Sequence, residues 1–392
     1  MTVSLPLQWE LMEIIISHLS IRDYFSLACS LKTICWNIPI TLTWEAWELS
    51  YQRHGKSVLP FIIPQIQFLS NHRLTLLLKL NQIFILELYF KGFHRNNTNQ
   101  CMKLDISLKH KMFLKSCRFG WSKLLEYLLC DVDVDPQTQS NKGILLASEK
   151  GHTQCLKLLL DDKRANPNGL YNSPLRYACG NGCLDTVRLL VLDPRVNPNH
   201  EDFPAIGEAA ANGHLDIVNF LLDVGVSPTV KDNAPIRYSA DNGHAKVMRR
   251  LLLDPSVDPT AMENYCLMTV CREGFSDCLA ELLKDSRVDP SVEENRSLAL
   301  ACEYGSLDCL RLLLKEQRIN QTAWNNCPIE IAATCGHSEI VQLLLDEGKY
   351  SRESFSKSLE IALANNHPQC FDILSTFGKT NAIYQSSIHS SL

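Results

Sequence analysis

This sequence predicts an all-α fold: a helical solenoid of about nine 31-residue repeats behind a small helical domain. Three observations carry that expectation. First, a glycine returns at Gly120, Gly151, Gly182, Gly213, Gly243, Gly274, Gly305 and Gly336, six times after 31 residues and once after 30, and Asn366 takes the ninth place. A fixed period of this size marks stacked supersecondary units. Second, a leucine stands eight residues after every marker: Leu128, Leu159, Leu190, Leu221, Leu251, Leu282, Leu313, Leu344 and Leu374. Third, proline recurs at the exits as Pro136, Pro167, Pro198, Pro228, Pro259 and Pro290, each after Asp, Asn or Ser. Proline has no N–H to continue a helix and restricts the residue before it.

Residues 1–50 come before the period begins. In "LPLQWELMEIIISHLSIRDYFSLACSLKTICW" (5–36), Pro6 suits a first helical turn, and Leu11, Ile14, Ile15 and Leu19 follow at helical spacing. Ser20 and Asp23 have capping-box spacing, Leu27, Ala28 and Leu31 continue a second helix, and Trp36 closes the segment. The pattern resembles an F-box. Leu5, Pro6, Leu11, Ile14, Ile15, Leu19, Asp23, Leu27, Ser30, Lys32 and Trp36 match, while Tyr24 and Phe25 depart from the usual D-L-L and no valine precedes Cys35. The resemblance implies docking on the Skp-type adaptor of a cullin–RING ubiquitin ligase through Leu5, Pro6, Leu11, Ile14, Ile15, Leu19 and Trp36. The same spacing also suits a plain three-helix cap. Residues 51–104 read as a helical linker and N-terminal cap. Their most apolar window, 74–90, is interrupted by Lys79 and Glu87 and is too short and too charged for a membrane span.

From 105 to 378 each repeat reads as two short helices joined at the marker. Glycine suits the joint because a helix ends most easily with φ > 0. Five residues after the marker the column is aliphatic (Leu125, Leu156, Val187, Val218), and seven before it the same holds (Ile144, Leu175, Ile206, Ile236). Four residues before it alanine dominates, which lets first helices pack closely. Asn141, Asn172, Asn233, Asn264, Asn295 and Asn326 recur ten residues before the marker, where Asn tolerates a left-handed turn and caps the next helix. The stretches "SPLRYACGNGCLDTVRLLV" (173–191), "ANGHLDIVNFLL" (211–222) and "TCGHSEIVQLLL" (334–345) resemble the ankyrin repeat. That likeness implies an ankyrin-type solenoid with hairpin tips two residues short of the usual 33. The family's histidine in T-P-L-H is replaced by Arg176, Arg237 and Glu330. The polar tail 379–392 is expected to be disordered.

Composition bounds function. The chain has 392 residues, 45% hydrophobic and 21% charged, with a net charge of −5. That argues against nucleic acid or an anionic membrane as the main partner. No phosphate loop, nucleophile elbow or HExxH motif occurs, so neither an enzyme nor a cofactor is expected, and no metal. The sixteen cysteines form no CxxC pair and fall in small or aliphatic columns, which suits free thiols in a core. His152, His214, His244 and His337 sit directly after the marker glycine, a structural turn position. The expected function is therefore protein binding, in the cytoplasm or nucleus. The likenesses imply a substrate adaptor of a ubiquitin ligase; the alternative is an ankyrin scaffold or inhibitor with no ubiquitin link. The partner face is expected from the columns five and one residues before the marker: Tyr177, Tyr238, Leu300, Tyr304 and Ile331, with Trp324 on a nearby tip. Apolar residues gather towards its C-terminal end.

Overall fold

The computed structural model describes residues 104–200, 204–319, 328–348 and 350–381. The proposed F-box segment, residues 51–103, Asn326 and nearly all of the tail lie outside them. Among the described residues there are eighteen helices and no strand. They form nine pairs. These are α1 Ile106–Phe119 and α2 Ser122–Leu129; α3 Thr138–Glu149 and α4 Thr153–Asp161; α5 Gly169–Gly180 and α6 Leu184–Leu192; α7 Ala205–Ala211 and α8 Leu215–Asp223; and α9 Val230–Asp241 and α10 Ala245–Leu252. Then follow α11 Ala261–Glu273 and α12 Ser276–Lys284; α13 Val292–Glu303 and α14 Leu307–Lys315; α15 Pro328–Cys335 and α16 Ser338–Asp346; and α17 Arg352–Ala364 and α18 Pro368–Thr380. Two compact units divide the chain: Met1–Ala147 with Gln154–Ala165, and Ser148–Thr153 with Asn166–Leu392.

In the second unit the first helices α5, α7, α9, α11, α13, α15 and α17 pack one on the next, and the second helices form a parallel layer of their own. The nine leucines eight residues after the marker are all fully buried, in both units. The aliphatic columns five after and seven before the marker are buried too, except Phe371 of the last pair, which is half-buried. Close approach of first helices follows from the small column: Ala147, Ala178, Ala209, Ser239, Ala301, Ala332 and Ala362 are all inaccessible. Fully burying a leucine contributes about 1.5–3 kcal/mol, so these repeated columns are the main stabilising feature.

Every described marker is left-handed: the eight glycines have φ between 69° and 81°, and Asn366 has φ 58°. The N–H after the marker then donates to the carbonyl five residues back, as from His214 to Ala209 (3.0 Å) and from His244 to Ser239 (2.9 Å). These bonds satisfy carbonyls that a helix end leaves orphaned.

The shortened tips have a particular form. At Gln139–Asn141, Lys231–Asn233, Met262–Asn264 and Glu293–Asn295 three successive residues are left-handed, each run ending on the recurrent Asn. Asn pays least for φ > 0 among non-glycine residues, which explains its column. The right-handed helix resumes immediately after, so Pro235 stands in a first turn where its missing N–H costs nothing. Arg237, in the place of the family histidine, donates from Nε to the Asp232 carbonyl (3.0 Å) and from Nη2 to that of Lys231 (2.9 Å). It thereby steadies the left-handed turn at Lys231–Asn233.

A second arginine ties three of the exit turns to the pair before them. In the first unit Arg164 donates to the carbonyls of Val134 (3.0 Å) and Leu129 (2.9 Å). In the second, Arg287 reaches Val257 (2.5 Å) and Leu252 (3.3 Å), and Arg318 reaches Val288 (2.7 Å) and Leu283 (3.0 Å). The acceptors always lie 30 and 35 residues earlier. A carboxylate two residues before the arginine fixes the fork: Asp162, Asp285 or Glu316. Lysine has no planar fork to span two carbonyls and a carboxylate. Arg287→Lys should therefore cost about 1–2 kcal/mol, read by denaturant melts, with faster amide exchange confined to residues 252–290. The hydrogen bond from Arg287 holds the Asp285 carboxyl below its ordinary value. A depressed carboxylate stabilises above its unfolded pKa and loses that contribution as pH falls through the folded one. The difference between Arg287 and Lys should thus shrink below about pH 4.

Candidate protein-binding face

Histidines at the joints carry structure. His214 Nε2–H donates to the Gly180 carbonyl (3.0 Å), His244 to Ala211 (3.0 Å), His337 to Glu303 (2.9 Å) and His367 to Thr334 (3.0 Å). A carbonyl only accepts, so each ring bears its proton on Nε2. Each bond runs from one pair to the first helix of the pair before, two residues ahead of that pair's marker.

The cysteines are packed thiols. Nine of the twelve described are buried and none of the twelve is in a disulfide; Cys183 is half-buried, and Cys130 and Cys335 are exposed. Burial pushes Cys155 and Cys278 up to about 11 and Cys266 and Cys309 up to about 12, so thiolate is scarce at neutral pH. Among the described residues no group of His, Cys, Asp and Glu could hold a metal ion. No helix there is long and apolar enough to cross a membrane.

What remains for contact is the face of the first helices. On α5, Tyr177 is 41% exposed with the Arg176 guanidinium 5.1 Å from its ring centroid. Glu208 of α7 faces Arg176 at 3.8 Å, too long for a hydrogen bond. On α9, half-buried Tyr238 lies over Gly207, where an added Cβ would stand 3.3 Å from its ring. Arg237 lies 6.0 Å from the Tyr238 centroid and 5.6 Å from that of Tyr265 on α11. The Tyr265 hydroxyl donates to Asp241 (2.8 Å), and that bond, with burial, holds its phenol above the ordinary value. Three tyrosines, two arginines and two carboxylates thus line neighbouring first helices. Aromatic and arginine side chains of this kind carry most energy at protein interfaces.

The C-terminal end differs from the sequence expectation. Leu300 is only 8% exposed, because it packs within the α11–α13–α15 layer, so it offers little to a partner. Tyr304 is 53% exposed and Ile331 half-buried. Trp324, like Leu5, Pro6, Leu11, Ile14, Ile15, Leu19 and Trp36, lies outside the described residues. The column directly before the marker is not a free polar surface either. Asn181, Asn212 and Asn242 each donate from Nδ2 to the carbonyl four residues back, capping their own helices (2.8, 2.9 and 3.0 Å). The sequence reading passed over Arg176, Arg237, Asp241 and Tyr265 as contact residues, while Glu208 stands in the column read five residues before the marker. Arg176 and Arg237 stand six residues before a marker, Asp241 two and Tyr265 nine, in columns not read for contact.

The ankyrin-repeat family models agree with this architecture. The family model for ankyrin repeats in three copies matches residues 113–202, 236–323, 267–354 and 298–383, and the single ankyrin-repeat model matches 205–233. Among solved structures, the human ASB11 ankyrin repeat domain is similar at 20% identity and a TM-score of 0.46, covering 52% of this chain and 97% of that one. No curated protein matches the chain.

Proposed function

The chain belongs to the ankyrin-repeat family, and on that premise we propose that it recruits a protein substrate to a cullin–RING ubiquitin ligase. Ankyrin repeats bind proteins. In this reading the first-helix face around Tyr177, Glu208 and Tyr238 holds the substrate, and the F-box-like residues 1–50 dock on a Skp-type adaptor. One observation carries the binding half: the buried columns repeat from pair to pair, while the exposed positions of the first helices do not. The fold leaves those positions unspecified, so a particular surface can be set there without disturbing the stack. The adaptor half is supported by the L-P…I-I-x-x-x-L…W pattern of Leu5, Pro6, Ile14, Ile15, Leu19 and Trp36. A scaffold or inhibitor with the same face and no ligase is the competing reading.

Co-precipitation from cells under proteasome inhibition separates them. Wild type should capture a Skp-type adaptor with its cullin. Leu11→Asp with Ile15→Asp should abolish that capture while the repeats keep their melting temperature. Tyr177→Ala should weaken capture of the main partner about tenfold, or 1.4 kcal/mol, and leave the adaptor bound. Wild type that brings down no adaptor would sink the ligase reading and leave the scaffold.

A further inference from the structure

On the first helices of the second unit, the positions five, two and one before each marker share one face, as i, i+3 and i+4 do on any helix. On four successive helices that face holds a carboxylate: Glu208 on α7, Asp241 on α9, Glu273 on α11 and Glu303 on α13. Glu273 and Glu303 are exposed, Glu208 and Asp241 half-buried. From α5 to α15 the same positions hold one cation, Arg272, whose Nε already donates to Glu273 (2.9 Å). Arg176 and Arg237 flank the face. Arg237 is held by the Asp232 and Lys231 carbonyls, and Arg176 stands 3.8 Å from Glu208. Among the described residues no cation forms an ion pair with Asp241 or Glu303. Tyrosines stand between the carboxylates: Tyr177 and Tyr304 are 41% and 53% exposed and Tyr238 half-buried.

Packed helices stand about 8–10 Å apart, so the carboxylates recur at about that interval. A polyproline-II chain advances about 9 Å in each three-residue turn and brings the same side back to the surface. A cation at every third residue of such a chain therefore meets one carboxylate per helix. A β-strand repeats its side every two residues, about 7 Å, and drifts out of register. The band is also low. From five to one before the marker is about 6 Å along a helix, narrower than an α-helix of about 10 Å. Aromatic-lined surfaces suit proline-rich segments, which lose little freedom on binding. Opposite charge steers the encounter.

We propose that the first helices α7–α13 dock an extended, proline-rich basic segment of the substrate protein. Its Lys or Arg at every third residue meets Glu208, Asp241, Glu273 and Glu303, and its prolines lie against the tyrosines. This names the substrate class of the face under Proposed function and rests on that reading. The test is fluorescence anisotropy of the full chain with a fluorescein-labelled peptide of four Lys-Pro-Pro repeats, beside an isomer whose four lysines are contiguous. The repeat peptide should saturate at low salt and weaken about tenfold towards ~0.3 M salt. The isomer should bind about fivefold more weakly. Asp241→Asn with Glu303→Gln should weaken the repeat peptide about tenfold with an unchanged melting temperature. Tyr304→Ala should weaken it several-fold and keep the salt dependence, and Glu339→Gln, an exposed carboxylate on α16, should leave it intact. No binding at low salt, equal binding of the isomer, or neutralisation without effect would overturn the basic segment. If Tyr177→Ala still loses the cellular partner in that case, the face itself stands. Partner capture unchanged in Tyr177→Ala would overturn the face.

Discussion

Leu221→Ala should destabilise the protein by about 2–5 kcal/mol. Leu221 sits in the last turn of α8, fully buried, in the column that repeats leucine in all nine pairs. Its removal takes away a large apolar contact and leaves a cavity whose walls belong to rigid helices on both sides, so collapse is limited. The distribution of the loss matters as much as its size. In a stack each pair touches only its neighbours, so the damage should concentrate in α5–α10. Hydrogen exchange should show lost protection there and near-native protection in α15–α18. Equal loss across all described helices would mean that the array unfolds as one cooperative body.

The buried scaffold was legible because burial imposes identity. The leucine column, the small column and the marker positions each accept few residue types, and the structure shows why: full burial, helix–helix approach and φ near 75°. Even Asn366 as a glycine substitute was readable. The cross-pair ties were not. Arg164, Arg287 and Arg318 stand in a visible D-x-R or E-x-R pattern, yet their acceptors are backbone carbonyls 30 and 35 residues away, and carbonyls leave no trace in sequence. The partner face was read only in part for a related reason. Leu300 and Tyr177 occupy the same column, but one is buried and the other exposed, and that difference depends on what each neighbouring pair presents. Tyr238 projects over α7 because residue 207 is glycine, a pairing between repeats that no single column displays.

Gly213→Ala should cost about 2–3 kcal/mol, and a double-mutant cycle can show where the cost comes from. Gly213 has φ 75°, which an alanine adopts at a penalty of about 1–2 kcal/mol. Its missing Cβ is also filled space: a carbon there would stand 2.6 Å from Nδ1 of His244. The ring can yield only by leaving the Ala211 carbonyl, to which it donates at 3.0 Å, and losing that bond adds about 1 kcal/mol. His244→Ala alone should cost about the same 1 kcal/mol. If the two effects share the bond, the double variant should be about 1 kcal/mol more stable than the sum of the singles. Strict additivity would show that the ring never constrained the glycine. Gly213→Asn separates conformation from crowding. Asn is accepted at φ 58° in the last pair, where no described helix pair follows to supply a ring. At 213 the same residue relieves much of the backbone penalty yet still meets His244. It should therefore remain clearly destabilising in thermal melts, whereas Asn366→Gly should change stability by no more than about 0.5 kcal/mol.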